Sequence, residues 1–462
     1  GGGPAITVCK FATNVSGASW GPNDVVVFAT ATGLWQVPAS GGEPRALALA
    51  DTARGELYRW PEVLPGGRGA VFTTVDDAGF QLAAVSLETG AVRPLRLEGT
   101  NPHFVAPGYL VFARLDGALL AAAFDPNARG ITGPVFPVAE GVLVGIGGAA
   151  KLGVSRTGTL AYFQESSADR TLAVVDRAGQ SEIVPAPPQA FTAAAFSPDG
   201  RRIATDISPT GGDLRDIWVL DLARNTFRRV TFDSGSRSPV WTPDGQRIAF
   251  WAKPGGRPYG YAIRWTLADG SDSAETLLPG ELDPSPGAFT PDGRALVFQK
   301  RDLVTGRDIW ILPLAGDRNP KPYLRTPFDE RGAAISPSGR WVAYVSDESG
   351  QDEVYVRAFP HPGPAVPVSS GGGREPRWAP SGRELFYRNE HGMVAVAVDP
   401  SASLRVGRRR LLFDDDPYLS STGGPAYDVH PEGRRFLMVR RGSARPEVVV
   451  VLNWFARLRG GR

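Results

Sequence analysis

Gly17-Ala18-Ser19-Trp20-Gly21 has the Gly-x-Ser-x-Gly spacing that lifts a serine Oγ toward a histidine base in serine hydrolases. That chemistry needs a strand, a strained turn and then a helix. Here Pro22-Asn23-Asp24 reads as a turn and Val25-Val26-Val27-Phe28 as a strand, so Ser19 is expected to be a turn-flanking residue. The four histidines, His103, His361, His391 and His430, show no metal-ligand spacing. Acidic pairs at Asp329-Glu330 and Asp347-Glu348, and the run Asp414-Asp415-Asp416, are the residue types of glycoside hydrolysis. Solvated loops account for them more simply. No glycine-rich phosphate loop precedes a helix. The chain is therefore expected to carry no catalytic set, no metal and no cofactor.

Composition narrows the class further. The 462 residues are 42% hydrophobic and 21% charged, with a net charge of +2. Such a chain folds, and its charge recruits neither nucleic acid nor a membrane surface. Cys9 is the only cysteine, so an internal disulfide is excluded. No apolar run is long enough to span a bilayer. The opening Gly1-Gly2-Gly3 falls in mid-repeat and lacks an initiator Met, which reads as a piece of something longer.

What positions any site is a repeat. Ser197-Pro198-Asp199-Gly200 returns as Thr242-Pro243-Asp244-Gly245 and Thr290-Pro291-Asp292-Gly293. Worn copies follow at Ser336-Pro337-Ser338-Gly339, Ala379-Pro380-Ser381-Gly382 and His430-Pro431-Glu432-Gly433. Their prolines are 45, 48, 46, 43 and 51 residues apart, and four degenerate copies upstream keep a step of 42 to 49. A period in the forties with strand-like flanks marks propeller blades.

Each repeat carries an apolar strand, the turn, and a second strand with alternating burial. A third strand follows, as in Asp216-Ile217-Trp218-Val219-Leu220 and Asp308-Ile309-Trp310-Ile311-Leu312, and then a fourth. The expected fold is all-β: a β-propeller of about ten four-stranded antiparallel blades, as tandem propellers or one large ring. Residues 1–147 would form degenerate blades and 148–462 the clearer ones. The last repeat is a strand short, and Ala5-Ile6-Thr7-Val8 is a candidate closing strand. A short helical turn is expected near Trp454-Phe455-Ala456-Arg457.

Residues that the repeat register already explains serve the fold, which removes His430, Asp216 and Asp308 from the functional set. The segments before each first strand do not recur. They hold the candidate ligand-binding residues: Arg59, Trp60, His103, Arg237, Asp283, Glu330, Arg331, Arg374, Arg377 and Tyr427. An arginine- and aromatic-bearing rim suits an anionic or peptide-like ligand. Ordinary salt bridges between blades explain any single one of them equally well.

The Ser-Pro-Asp-Gly turns with Asp-Ile-Trp third strands resemble the TolB-like (WD40-like) propeller repeats. Those repeats also occur in Tricorn and in prolyl-oligopeptidase-type peptidases. Several runs are more similar to the C-terminal propeller of bacterial transmembrane serine/threonine protein kinases. These are Tyr323-Leu324-Arg325-Thr326-Pro327-Phe328, Ser346-Asp347-Glu348-Ser349-Gly350, Glu353-Val354-Tyr355-Val356-Arg357 and Val450-Val451-Leu452-Asn453-Trp454. Arg59-Trp60-Pro61 and Pro107-Gly108-Tyr109-Leu110-Val111-Phe112 fit as well. The resemblance implies an extracytoplasmic sensor region following a kinase domain and a membrane helix. The chain itself has no kinase glycine-rich loop, catalytic loop or Asp-Phe-Gly. Expected partners are a small-molecule, peptide or glycan ligand, or a protein, with no nucleic acid and no membrane contact by this chain. The alternatives are a propeller gating a peptidase and a glycan-acting propeller enzyme.

Overall fold

A computed structural model describes residues 7–11, 15–76, 79–155, 158–164, 170–208, 215–253, 261–280, 283–302, 305–400, 403–421, 426–442 and 447–454. The turn phrase explains how each blade starts. Ser197 Oγ donates to Asp199 Oδ1 at 2.5 Å and accepts from Arg202 N at 2.9 Å, while Gly200 takes φ +69°. Thr242 with Asp244 and Thr290 with Asp292 repeat the hydroxyl–carboxylate bond at 2.6 Å. These hydroxyl bonds hold the three aspartates below the usual carboxylate range. The Asp therefore sets the turn and is spent there. His430 takes the Ser/Thr slot, its Nδ1 accepting from Glu432 N at 3.2 Å.

Alternation after the turn buries two positions per blade. Ile203, Ile248, Leu296, Val342, Leu385 and Phe436 are all inaccessible, and two residues on so are Thr205, Phe250, Phe298 and Met438. The third-strand aspartates are buried too. Asp216 accepts from Thr231 Oγ1 at 3.0 Å and Arg229 Nη2 at 2.6 Å, and Asp308 accepts from Thr305 Oγ1 at 3.0 Å. Each pins its third strand to the loop beside it.

The sheets form a β-propeller architecture of nine four-stranded units and one three-stranded unit among the described residues, plus a two-stranded hairpin at 144–150. Blades 1 to 3 span 15–49, 57–98 and 100–139 in simple order. Blades 5 to 9 span 191–229, 236–278, 285–324, 331–367 and 374–413 in the same order. Blades 4 and 10 are composite. Blade 4 joins Leu152–Val154 and Leu160–Gln164 to Glu447–Val451. Blade 10 places Tyr427–Val429 innermost, then Arg435–Arg440, Thr171–Asp176 and Ser181–Ile183.

Blade 10 packs against both blade 9 and blade 5, so blades 5 to 10 form a closed six-bladed ring. The closing strand is Thr171–Asp176, which corrects the expectation placed on 5–8. Ala5 and Ile6 lie outside the described residues, and Thr7 and Val8 are not in a strand. The physical reason is burial on two faces. Leu172, Ala173 and Val175 are 1% exposed or less: Leu172, with Leu437 and Val439, packs on the blade 5 core, and Ala173 and Val175 pack on the blade 9 core. Blades 1 to 4 stack consecutively through their own cores. Trp454 is buried between blades 3 and 4, while Phe455, Ala456 and Arg457 lie outside the described residues. The described helices are two short 3-10 turns, Thr52–Arg54 and Ile146–Gly148.

Candidate functional site

The innermost strand of most blades breaks register once, near its start. Shifts fall between Arg59 and Glu62, Arg237 and Val240, Arg331 and Ala334, and Arg374 and Arg377. The residue after each first-named arginine is left-handed: Trp60 at φ 50°, Ser238 at 56°, Gly332 at 65° and Glu375 at 55°. A bulge of this kind re-aims the side chains beside it. Four arginines on four blades thus share one backbone device, and what each meets decides its role.

Most meet the protein itself. Arg331 is buried and ion-paired with Asp329 at 2.9 Å and with Asp352. Arg59 is half-buried against the hairpin, where a Cβ on Gly147 would meet its Nη1 at 2.5 Å. Trp60 Nε1 donates to Gly147 O at 3.0 Å. His103 Nδ1 lies 2.5 Å from Glu62 Oε2, and Phe104 N donates to Glu62 Oε1 at 2.6 Å, tying blade 2 to blade 3. Arg237 lies over the Trp251 ring, 4.1 Å from its centroid, and Trp251 Nε1 donates to Asp283 Oδ1 at 2.7 Å. Tyr427 is inaccessible, and burial pushes its phenol well above the usual value.

Ser19 Oγ accepts from Val63 N at 3.0 Å, a bond from blade 1 to blade 2. Asp206 accepts from Ser238 N at 3.1 Å, and Gln299 from Gly332 N at 2.9 Å, in the same blade-to-blade sense. Among the described residues, no group of three His, Cys, Asp or Glu side chains could hold a metal.

The ten candidates fall into two groups. Arg59, Trp60 and His103 stand on blades 2 and 3. Asp283 stands just before the inner strand of blade 7, and the other six on the inner strands of the ring or just before them. The ring brings Arg374, Arg377 and Tyr427 together with residues the sequence reading passed over. Arg377 Nε lies 3.7 Å from Asp428 Oδ1, and both side chains stay about one-fifth accessible. Asp428 Oδ2 also accepts from Phe196 N at 2.8 Å across the closure. Burial raises the Asp428 carboxyl, and Arg377 opposes that rise. Two positions before the turn phrase, the other four blades of the ring carry Ala195, Val240, Ala288 and Ala334. A charged pair on adjacent blades 9 and 10 breaks that small apolar set. Aligning this position blade by blade would have found Asp428.

Glu330 is 1% exposed and its Oε2 has no hydrogen-bond partner. Burial first, and Asp308 and Asp329 with it, push its carboxyl up to about 7, against the bond from Thr326 Oγ1. A carboxyl raised in the folded state stabilises below its unfolded value near 4.5, and that stability is lost as pH rises through about 7. Glu330→Gln removes the ionisation. Urea unfolding should show parent and variant alike near pH 4.5, with the variant more stable on the order of 2 kcal/mol at pH 8. Equal stability at both pH values would show that Glu330 does not titrate as its surroundings dictate.

Residues 154–302, which run from blade 4 through the two outer strands of blade 10 and blades 5 and 6 into blade 7, match the model of the TolB beta propeller domain family. Over 154 residues the chain is 28% identical to the Tol-Pal system protein TolB of Francisella tularensis subsp. mediasiatica. That alignment takes in 33% of this chain and 34% of the relative, so the chain spans about a third of the length of the curated relative it matches. Among solved structures, a putative TolB from Agrobacterium tumefaciens is 20% identical with a TM-score of 0.47, covering 60% of this chain and 99% of that one. TolB from Acinetobacter baumannii is 18% identical with a TM-score of 0.43, covering 73% and 79%. The matched stretch 154–302 is thus similar to TolB-type propeller repeats. Among the described residues, no helix is long and apolar enough to cross a membrane.

Proposed function

We propose that this chain is a non-catalytic, ligand- or protein-binding propeller, and that it forms the extracytoplasmic sensor region of a bacterial serine/threonine receptor kinase. The observation that carries the binding reading is the Arg377–Asp428 pair. It sits, part-accessible, where the rest of the ring has alanine or valine. A part-desolvated arginine with an aspartate beside it can take a carboxylate and an amide N–H of one extended peptide. The half-buried Arg374 on the same inner strand as Arg377, and Arg237 on the inner strand of blade 6, extend the basic character. The kinase context rests on the sequence resemblance. It is tested by the coding sequence upstream of this chain, which should carry a kinase domain and a membrane helix. A downstream hydrolase domain with a true nucleophile elbow would replace it with the peptidase-gating reading.

The non-catalytic assignment draws support from how the chemistry-bearing residues are occupied. Ser19, Glu62 and Asp206 are all held in bonds between blades. Hydrolysis and lyase assays on a polysaccharide panel should show no turnover. Turnover abolished by Asp283→Asn or Glu330→Gln would overturn the assignment.

A further inference from the structure

Trp20, Trp241 and Trp378 occupy the same place in their blades. Each ends the innermost strand directly before the turn, opposite Val26, Ile248 and Leu385 respectively. In the ring this tryptophan is covered by the blade before it. Trp241 Nε1 donates to Ala195 O and Trp378 Nε1 to Ala334 O, both at 3.1 Å, and the two side chains are 8% and 7% exposed. Trp20 is 66% exposed, and its Nε1 turns to its own Asp24 at 3.3 Å. The face that receives a preceding blade elsewhere is therefore open on blade 1. Blade 4 is open at the other end of the same stack. Val449 and Val451 pack toward blade 3, whereas Val448 and Val450, on the opposite face, are each 55% exposed.

The ring fixes how many blades are missing. It closes with six blades built on the same repeat, each turning the stack by about 60°. Four blades at that angle leave a gap of two. Chain order excludes an insertion between blades 4 and 10, and the polypeptide entering blade 1 runs over its open face. Blade 4 passes to blade 10 within the short stretch 164–171, which leaves no length for a blade. We infer that two further four-stranded blades of this repeat, encoded upstream of Gly1, close blades 1 to 4 into a second six-bladed ring. The last of them covers Trp20 and offers its Nε1 a backbone carbonyl. The polypeptide entering blade 1 already crosses this face, where the Phe11 ring meets Phe28 at 5.4 Å and Trp35 at 4.8 Å.

The test compares this chain with the natural chain extended upstream by roughly 90 residues, two repeat lengths. In a Cys9→Ser background, Val15→Cys and Val450→Cys place single thiols on the two open faces, and maleimide labelling rates are measured. Both thiols should label rapidly in the present chain and at least tenfold more slowly in the extended one, at every protein concentration. The difference spectrum against Trp20→Phe should show Trp20 emission moving to shorter wavelength on extension. Unchanged labelling would overturn the inference. So would protection that disappears on dilution, which would mean a second copy, or an upstream sequence without the repeat.

Discussion

Arg388→Ala is expected to cost the ring about 3–5 kcal/mol, the range for removing one partner of a buried ion pair. Arg388 is 1% exposed at the heart of blade 9. Its guanidinium bonds Asp415 and the carbonyl of Leu419, reaches Tyr418 O at 3.5 Å, and lies 3.7 Å from Glu375. Glu375 in turn accepts from Ser420 Oγ at 2.9 Å, Ser421 N at 3.0 Å and Ala426 N at 2.7 Å. One arginine thus holds the segment that carries the chain from blade 9 into the closing blade. Alanine leaves Asp415 and two carbonyls buried without a donor. Urea unfolding should show a large drop in midpoint, and hydrogen exchange should rise first in 415–421. A loss below about 1 kcal/mol would mean that water replaces the guanidinium at no cost, and the network would then not organise the closure.

Leu437→Pro should have an effect of similar size by a different route. Leu437 is inaccessible and lies mid-strand, opposite Val174 on one side and Asp428 on the other. Proline there removes a ladder donor and clashes with the sheet, at about 3 kcal/mol or more. Loss of the leucine side chain adds a cavity penalty of its own. Blade 10 joins the end of the ring to its beginning, so the damage should cross the closure. Exchange should rise in Thr171–Asp176 and in Phe191–Phe196 as well as in Arg435–Arg440. A rise confined to Arg435–Arg440 would show that blade 10 does not close the ring.

The blade repeat was legible in the sequence because its turn chemistry is local. A hydroxyl, a proline, an aspartate and a glycine within four residues make their bonds to one another, so the phrase marks each blade wherever the blade sits. Closure was not legible, because strands from 171–183 and 427–440 meet across the whole ring and nothing local records the pairing. The candidate site was legible by location and not by occupancy. Arg331 and Tyr427 stand before or within first strands as expected, yet both are buried. Asp428 was missed because it resembles an ordinary strand-end aspartate until it is set beside Ala195, Val240, Ala288 and Ala334. Glu375 follows Arg374 in the same first strand, yet its left-handed backbone and three donors make it the anchor of Ser420, Ser421 and Ala426.

The most direct measurement of the binding claim is the affinity of a panel of acidic and basic fluorescent peptides for the chain, before and after Arg377→Ala and Asp428→Asn. Saturable binding is expected for at least one class. That binding should weaken about tenfold or more in Arg377→Ala, with an unchanged far-ultraviolet spectrum. Equal affinity in the parent and both variants, or no binding by any class, would contradict it.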